Sequence, residues 1–207
     1  MAPWPRLTAS PDTRVVYVSS SLGNDANTGL SEAFPKRTIA AGVGQLRAGF
    51  PDWLLLRRGD TWTNESLGYW NKGGRSETEP MVVASYGTSS ERPFIRTGSG
   101  SGFACWSNIP QINHVWVIGL RFTPHTYTGT ANWPDAFTYQ GTAGTNILIE
   151  DCHFSGYRAA IILEGTVLTN LRVRRNIIVD SYVVGDNPHT YGMYVFGANG
   201  LTIEENV

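Results

Sequence analysis

Three side chains of complementary chemistry, Asp135, Arg158 and His189, fall near the starts of the segments WPDAFTY, YRAAIIL and PHTYGMYV. Asp186 and Tyr191 lie close to His189. If these segments are neighbours in space, a carboxylate, a guanidinium and an imidazole converge on one lateral groove. Arg158 would then neutralise an acid or abstract a proton, His189 would exchange one, and Asp135 with Asp186 would bind a divalent cation such as Ca2+. The same residues also suit a hydrogen-bonded network or solvated loops at the corners of a fold, since no single motif fixes the chemistry. Asp151 and His153 have i, i+2 spacing, which alone is weak metal evidence. Glu204 and Glu205 are adjacent, so a strand turns them to opposite faces.

Aromatic residues are spread along the same half of the chain: Trp106, Trp116, Tyr127, Trp133, Tyr139, Tyr157 and Tyr194. Sugar rings present apolar C–H faces to such side chains, and Trp133, Tyr157, Tyr191 and Tyr194 are the candidates for contacting an extended polysaccharide. Several rings of this set also fit core or loop packing. The stretch 122–133 is the expected groove wall, because an enlarged corner overhangs a sheet without disturbing its ladder.

The elements that must position these residues are visible as a repeat. TNILIEDCHF, TNLRVRRNII and NGLTIEENV share one template, with apolar pairs Ile147/Ile149, Leu171/Val173 and Leu201/Ile203. A looser copy, NHVWVIGLRF, puts Val115/Val117 in the same slots. Apolar residues at i and i+2 are strand periodicity, and recurrence at intervals of 32, 24 and 30 residues points to a solenoid. Phe137/Tyr139, Ile161/Leu163 and Met193/Val195 are expected in a second sheet, and Leu120/Phe122, Cys152/Phe154 and Asn176/Ile178 at a turn and third sheet. Asn176 and Asn206 recur at one bend, where an internal stack of carboxamides would satisfy backbone groups. Upstream, strands are expected at 14–19, 52–57, 81–85 and 93–96. A helix is expected over 38–48, although Gly42 and Gly44 weaken it.

Composition limits the alternatives. The 207 residues carry a formal charge of −1, so no global field attracts nucleic acid or an anionic membrane. No apolar run approaches the length of a membrane span. Two cysteines, Cys105 and Cys152, make no disulfide scaffold, and Cys152 occupies a repeat position that favours a buried thiol. A bridge between them stays open. Gly98–Gly102 lacks the Lys-Ser/Thr ending of a phosphate loop and reads as a turn. The expected organisation is a lead-in over 1–14, a cap with irregular coils over 15–112, and regular coils over 113–207 that stop within a repeat. Further coils beyond Val207 are therefore expected.

The segments YVSSSLGNDANTG, PKRTIAAGV, WLLLRRGDTW, EPMVVASYG and RPFIRTG, with the repeats after them, resemble the right-handed parallel β-helix proteins. The similarity is greatest to bacterial secreted ones of the pectate-lyase-like group. The resemblance implies an all-β, single-stranded parallel β-helix with a short N-terminal capping helix and an extracellular or cell-surface location. It implies a polysaccharide-active protein, foremost a lyase that cleaves an acidic polysaccharide by β-elimination. A glycoside hydrolase of the same fold and a non-enzymatic carbohydrate-binding or surface module are the alternatives, since fold does not fix function. HTYGMYV is similar to a His-Gly-apolar-Tyr phrase of the superfamily, but Thr190 and Tyr191 interrupt it before Gly192.

Overall fold

The computed structural model describes residues 7–106, 112–130, 133–185 and 189–207. Its strands in chain order are β1 (Val15–Val18), β2 (Trp53–Arg57), β3 (Thr61–Thr63), β4 (Gly68–Tyr69) and β5 (Met81–Tyr86). They continue with β6 (Phe94–Arg96), β7 (Phe103–Cys105), β8 (Val115–Ile118), β9 (Arg121–Thr123) and β10 (Asp135–Glu150). The last are β11 (His153–Ser155), β12 (Ala159–Arg174), β13 (Ile177–Val179) and β14 (Tyr191–Glu204). One six-residue helix, α1 (Ile39–Gly44), lies between β1 and β2. The protein is thus almost entirely β.

All these strands pair in parallel. The larger sheet runs β1-β2-β5-β8-β10-β12-β14, with β4 and β7 joining beside β10; the smaller runs β3-β6-β9-β11-β13. Parallel neighbours need long crossover connections, here supplied by the segment that holds α1 between β1 and β2 and, from β2 onward, by the chain's passage through the other sheet. The apolar slots of the repeat align rung on rung: Val115, Ile147, Leu171 and Leu201 are successive partners, as are Val117, Ile149, Val173 and Ile203. Phe137, Ile161 and Met193 form another such row. Within the larger sheet Phe103 stacks on Phe137 at 4.3 Å, and within the smaller one Phe122 stacks on Phe154 at 5.5 Å. Ring-on-ring contact of this kind adds to simple area burial.

Two sheets that the repeats suggest as separate are one. β10, β12 and β14 run through the intervening corner without a break, and pairing continues there through Gly141 and Gly165, then Ala143 and Val167. The larger sheet therefore curls instead of ending. At the next corner, Gly119, Asp151, Arg175 and Glu205 all take positive φ, between 52° and 73°. Three of these are not glycine, so neighbouring bonds must hold them there. Asn176 supplies some of them. Its Oδ1 accepts from the Cys152 amide at 2.9 Å, and its Nδ2 donates to Ile149 O at 3.0 Å and to Asn206 Oδ1 at 2.9 Å. The carboxamide stack is formed as expected.

The capping helix expected over 38–48 is not seen as such. Only Ile39–Gly44 is helical, with Thr38 Oγ1 accepting from the Ala41 amide. Gln45 ends it, and the Lys72 ammonium donates to the Val43 carbonyl in its last turn and to the Leu46 carbonyl just beyond. Glycines at 42 and 44 cost helix stability, but Gly42 is required: a Cβ there would lie 2.5 Å from the Val18 side chain. The two cysteines are unbridged and buried. Burial pushes the Cys105 thiol up to about 11 and the Cys152 thiol up to about 12.

Candidate functional site

Asp135 and Arg158 meet. Nη2 of Arg158 lies 2.6 Å from Asp135 Oδ1 and donates to Oδ2 at 2.8 Å. Thr138 Oγ1 adds a 3.2 Å bond, and the carboxylate is 4% exposed. Burial raises the Asp135 pKa above the ordinary value, while Arg158 and Thr138 pull it back only in part. His189 does not join the pair among the described contacts. It is exposed, its Nδ1 is 3.2 Å from the Tyr191 hydroxyl, and its ring stacks on Tyr191 at 6.2 Å. Tyr191 packs on Tyr194 at 5.4 Å. Trp133 is exposed.

Tyr157 is a correction. It is buried in the core, its hydroxyl bonded to Thr97 Oγ1 at 2.9 Å, and burial raises its pKa strongly. No ring face is left for a ligand. Asp186 lies outside the described residues. For Ca2+, which takes six to eight oxygens, Asp135 is already committed to Arg158 and Thr138. No group of three or more His, Cys, Asp or Glu side chains gathers among the described residues.

A more open arrangement lies further along the same strands. Gln140 pairs with Glu164 across β10 and β12, and Glu164 pairs with Phe196 across β12 and β14. Trp106 follows Cys105, the partner of Tyr139, and so continues this row on the other side. These four side chains line a groove of about 660 Å³. Phe196 is 60% exposed, and Gln140 Nε2 donates to Glu164 Oε2 at 2.8 Å. Trp106 and Phe196 are three strand steps apart, about 14 Å at the usual ~4.8 Å spacing.

Local backbone makes room for it. Gly141 and Gly165 pair at the groove floor, and a Cβ on Gly197 would lie 1.8 Å from the Gly165 carbonyl oxygen. The register between β12 and β14 shifts after Glu164, so β12 spends extra residues at this bend. Such a bulge re-aims side chains beside it.

The neighbouring row on this face contains Tyr69, Ala104, Thr138, Ile162 and Tyr194. Tyr69 is 73% exposed and borders a second hollow of about 520 Å³ with Asn64, Glu65 and Asn71. Aromatic groups thus stand exposed at both ends of this row, while Ala104, Thr138 and Ile162 between them are buried. Of the expected contact residues, Tyr194 belongs to it. The sequence signal for the rest was modest: Trp106 was one aromatic among many, and Gln140, Glu164 and Phe196 carry no motif. Their alignment depends on a register that the irregular repeat length conceals.

No family model matches the chain, and no curated protein matches it. Among solved structures it is similar to the GH136 lacto-N-biosidase of Eubacterium ramulus. The native structure matches at 19% identity with a TM-score of 0.61, covering 79% of this chain and 34% of that one. The selenomethionine derivative gives 18% and 0.60 over the same shares. A rhamnogalacturonan lyase aligns over 94% of this chain and 62% of its own at 11% identity, with a TM-score of only 0.37. The chain spans about a third of the length of the lacto-N-biosidase chain, and the likeness at this identity is one of fold.

Proposed function

We propose that the chain is carbohydrate-active and holds an extended glycan in the groove between Trp106 and Phe196. The observation that carries this reading is the row itself: two aromatic side chains bracket a hydrogen-bonded Gln140–Glu164 pair on one outer face. Aromatic faces suit the C–H faces of sugar rings, and the remaining amide and carboxylate oxygens accept from hydroxyls. A glycan lying across the strands would meet Trp106, the polar pair and Phe196 in turn, with Tyr194 at the margin. The architecture is read as a right-handed single-stranded parallel β-helix, since parallel crossovers are overwhelmingly of that hand. Its irregular coils would be 15–112 and its regular ones 113–207. That a protein of similar fold is a lacto-N-biosidase supports a glycan ligand. Such ligands are met outside the cell, and an extracellular or surface location follows as part of the proposal.

Binding is the role the geometry supports best. Asp135 pairs with Ala159, five residues before Glu164. Along a strand that is about 16 Å, beyond the roughly 5–9.5 Å that separates the two carboxyl groups of glycosidases. These two carboxylates therefore do not form a hydrolytic pair. β-Elimination at Arg158 would require its release from Asp135.

Titration calorimetry with a panel of neutral and acidic oligosaccharides tests the proposal on wild type and Trp106→Ala. Saturable binding that Trp106→Ala weakens about tenfold is the expected result, the scale of losing one anchoring aromatic side chain. Unchanged affinity in the variant, or no glycan bound by the wild type, overturns it.

A further inference from the structure

We propose that this groove selects uncharged glycans and that Glu164 sets the selectivity, an inference that rests on the groove being the glycan site. Glu164 is the single charged side chain among the described groove residues. The adjoining row, Ala104, Thr138, Ile162 and Tyr194, has no charge, and neither does the sequence of 107–111 that follows Trp106. Arg158 lies six residues before Glu164, about 20 Å along an extended strand, and is committed to Asp135.

Gln140 Nε2 donates to Glu164 Oε2, which leaves Glu164 Oε1 and Gln140 Oε1 as acceptors. Sugar hydroxyls and N-acetyl amides bring donors to such oxygens. A uronate or sulfate brings further acceptors and a second negative charge. At a separation of about 5 Å in a partly solvated groove, that repulsion lowers affinity by roughly tenfold or more. It also excludes the charge neutralisation that a polyuronate requires, so this groove and β-elimination of an acidic polysaccharide do not belong together.

The experiment is an oligosaccharide array bearing neutral hexasaccharides (β-glucan, mannan, xylan and galactan) beside oligogalacturonates and alginate oligomers. Wild type and Glu164→Gln are compared at low and at physiological salt, after matched thermal melts. Wild type should bind neutral probes at least about tenfold more tightly than acidic ones, and Glu164→Gln should close most of that gap. Raising the salt should narrow the gap for wild type without any substitution. Equal wild-type binding to both classes, or a gap that neither salt nor Glu164→Gln changes, overturns the selectivity while leaving the groove as a glycan site. Failure of wild type to bind any probe overturns both.

Discussion

Two rows of side chains cross β10, β12 and β14 and treat charge in opposite ways. At the corner, Glu150, Arg174 and Glu204 are successive rungs of alternating sign. Arg174 lies 3.2 Å from Glu150 and 3.5 Å from Glu204, while Arg175 pairs with Glu150 and, at 2.9 Å, with Glu205. Glu150 is fully buried. In β10 and β12 the second row, Gln140 and Glu164, stands ten residues earlier, beside Phe196, and there no cation answers the carboxylate among the described groove residues. A buried charge persists only with partners. An open one can instead be solvated and remain available to a ligand. The same ladder geometry thus yields an ion-paired corner in one place and a receptive surface in another.

The largest way to break this comparison is Glu150→Ala. It removes a buried carboxylate from two guanidiniums and should cost about 3–5 kcal/mol, measured by urea denaturation. A loss below about 1 kcal/mol would show that the corner is not a coupled network. Asn176→Ala, beside the same corner, removes three hydrogen bonds and should cost about 2–3 kcal/mol. Its urea midpoint is the readout, and an unchanged midpoint would deny the stack a structural role. Trp106→Ala should instead leave stability within about 1 kcal/mol while weakening glycan binding about tenfold.

The smallest effect concerns Asp135. Its folded pKa is raised, chiefly by burial, so the folded state holds its proton more tightly than the unfolded state. This group's contribution therefore falls as pH rises from the unfolded pKa through the folded one. Carboxyl-carbon NMR should show Asp135 titrating above the usual aspartate range, and higher still in Arg158→Leu. A variant that titrates at or below the wild-type pH would mean that Arg158 does not stabilise the charge.

Much of the scaffold is legible in the chain. The i, i+2 apolar pairs identify strands because alternation is a local consequence of the pleat, and Asn176 and Asn206 reveal their stack by recurring at one repeat position. Asp135 and Arg158 are also legible as neighbours, since they stand at the starts of aligned segments. The fate of Tyr157 is not: nothing local separates a core ring bonded to Thr97, sixty residues away, from one offered to a sugar. The groove was hidden for a similar reason, because Trp106, Gln140, Glu164 and Phe196 become a row only after strand pairing is set.

What the sequence determined by itself is therefore the alternation and recurrence of apolar residues, which impose stacked parallel strands through burial. What only the tertiary structure decided is which outward side chains share a rung and which of them find partners. Register and the bulge after Glu164 fix those neighbours. Both arise from contacts between residues some 24 to 32 positions apart, as Gln140–Glu164 and Glu164–Phe196 show.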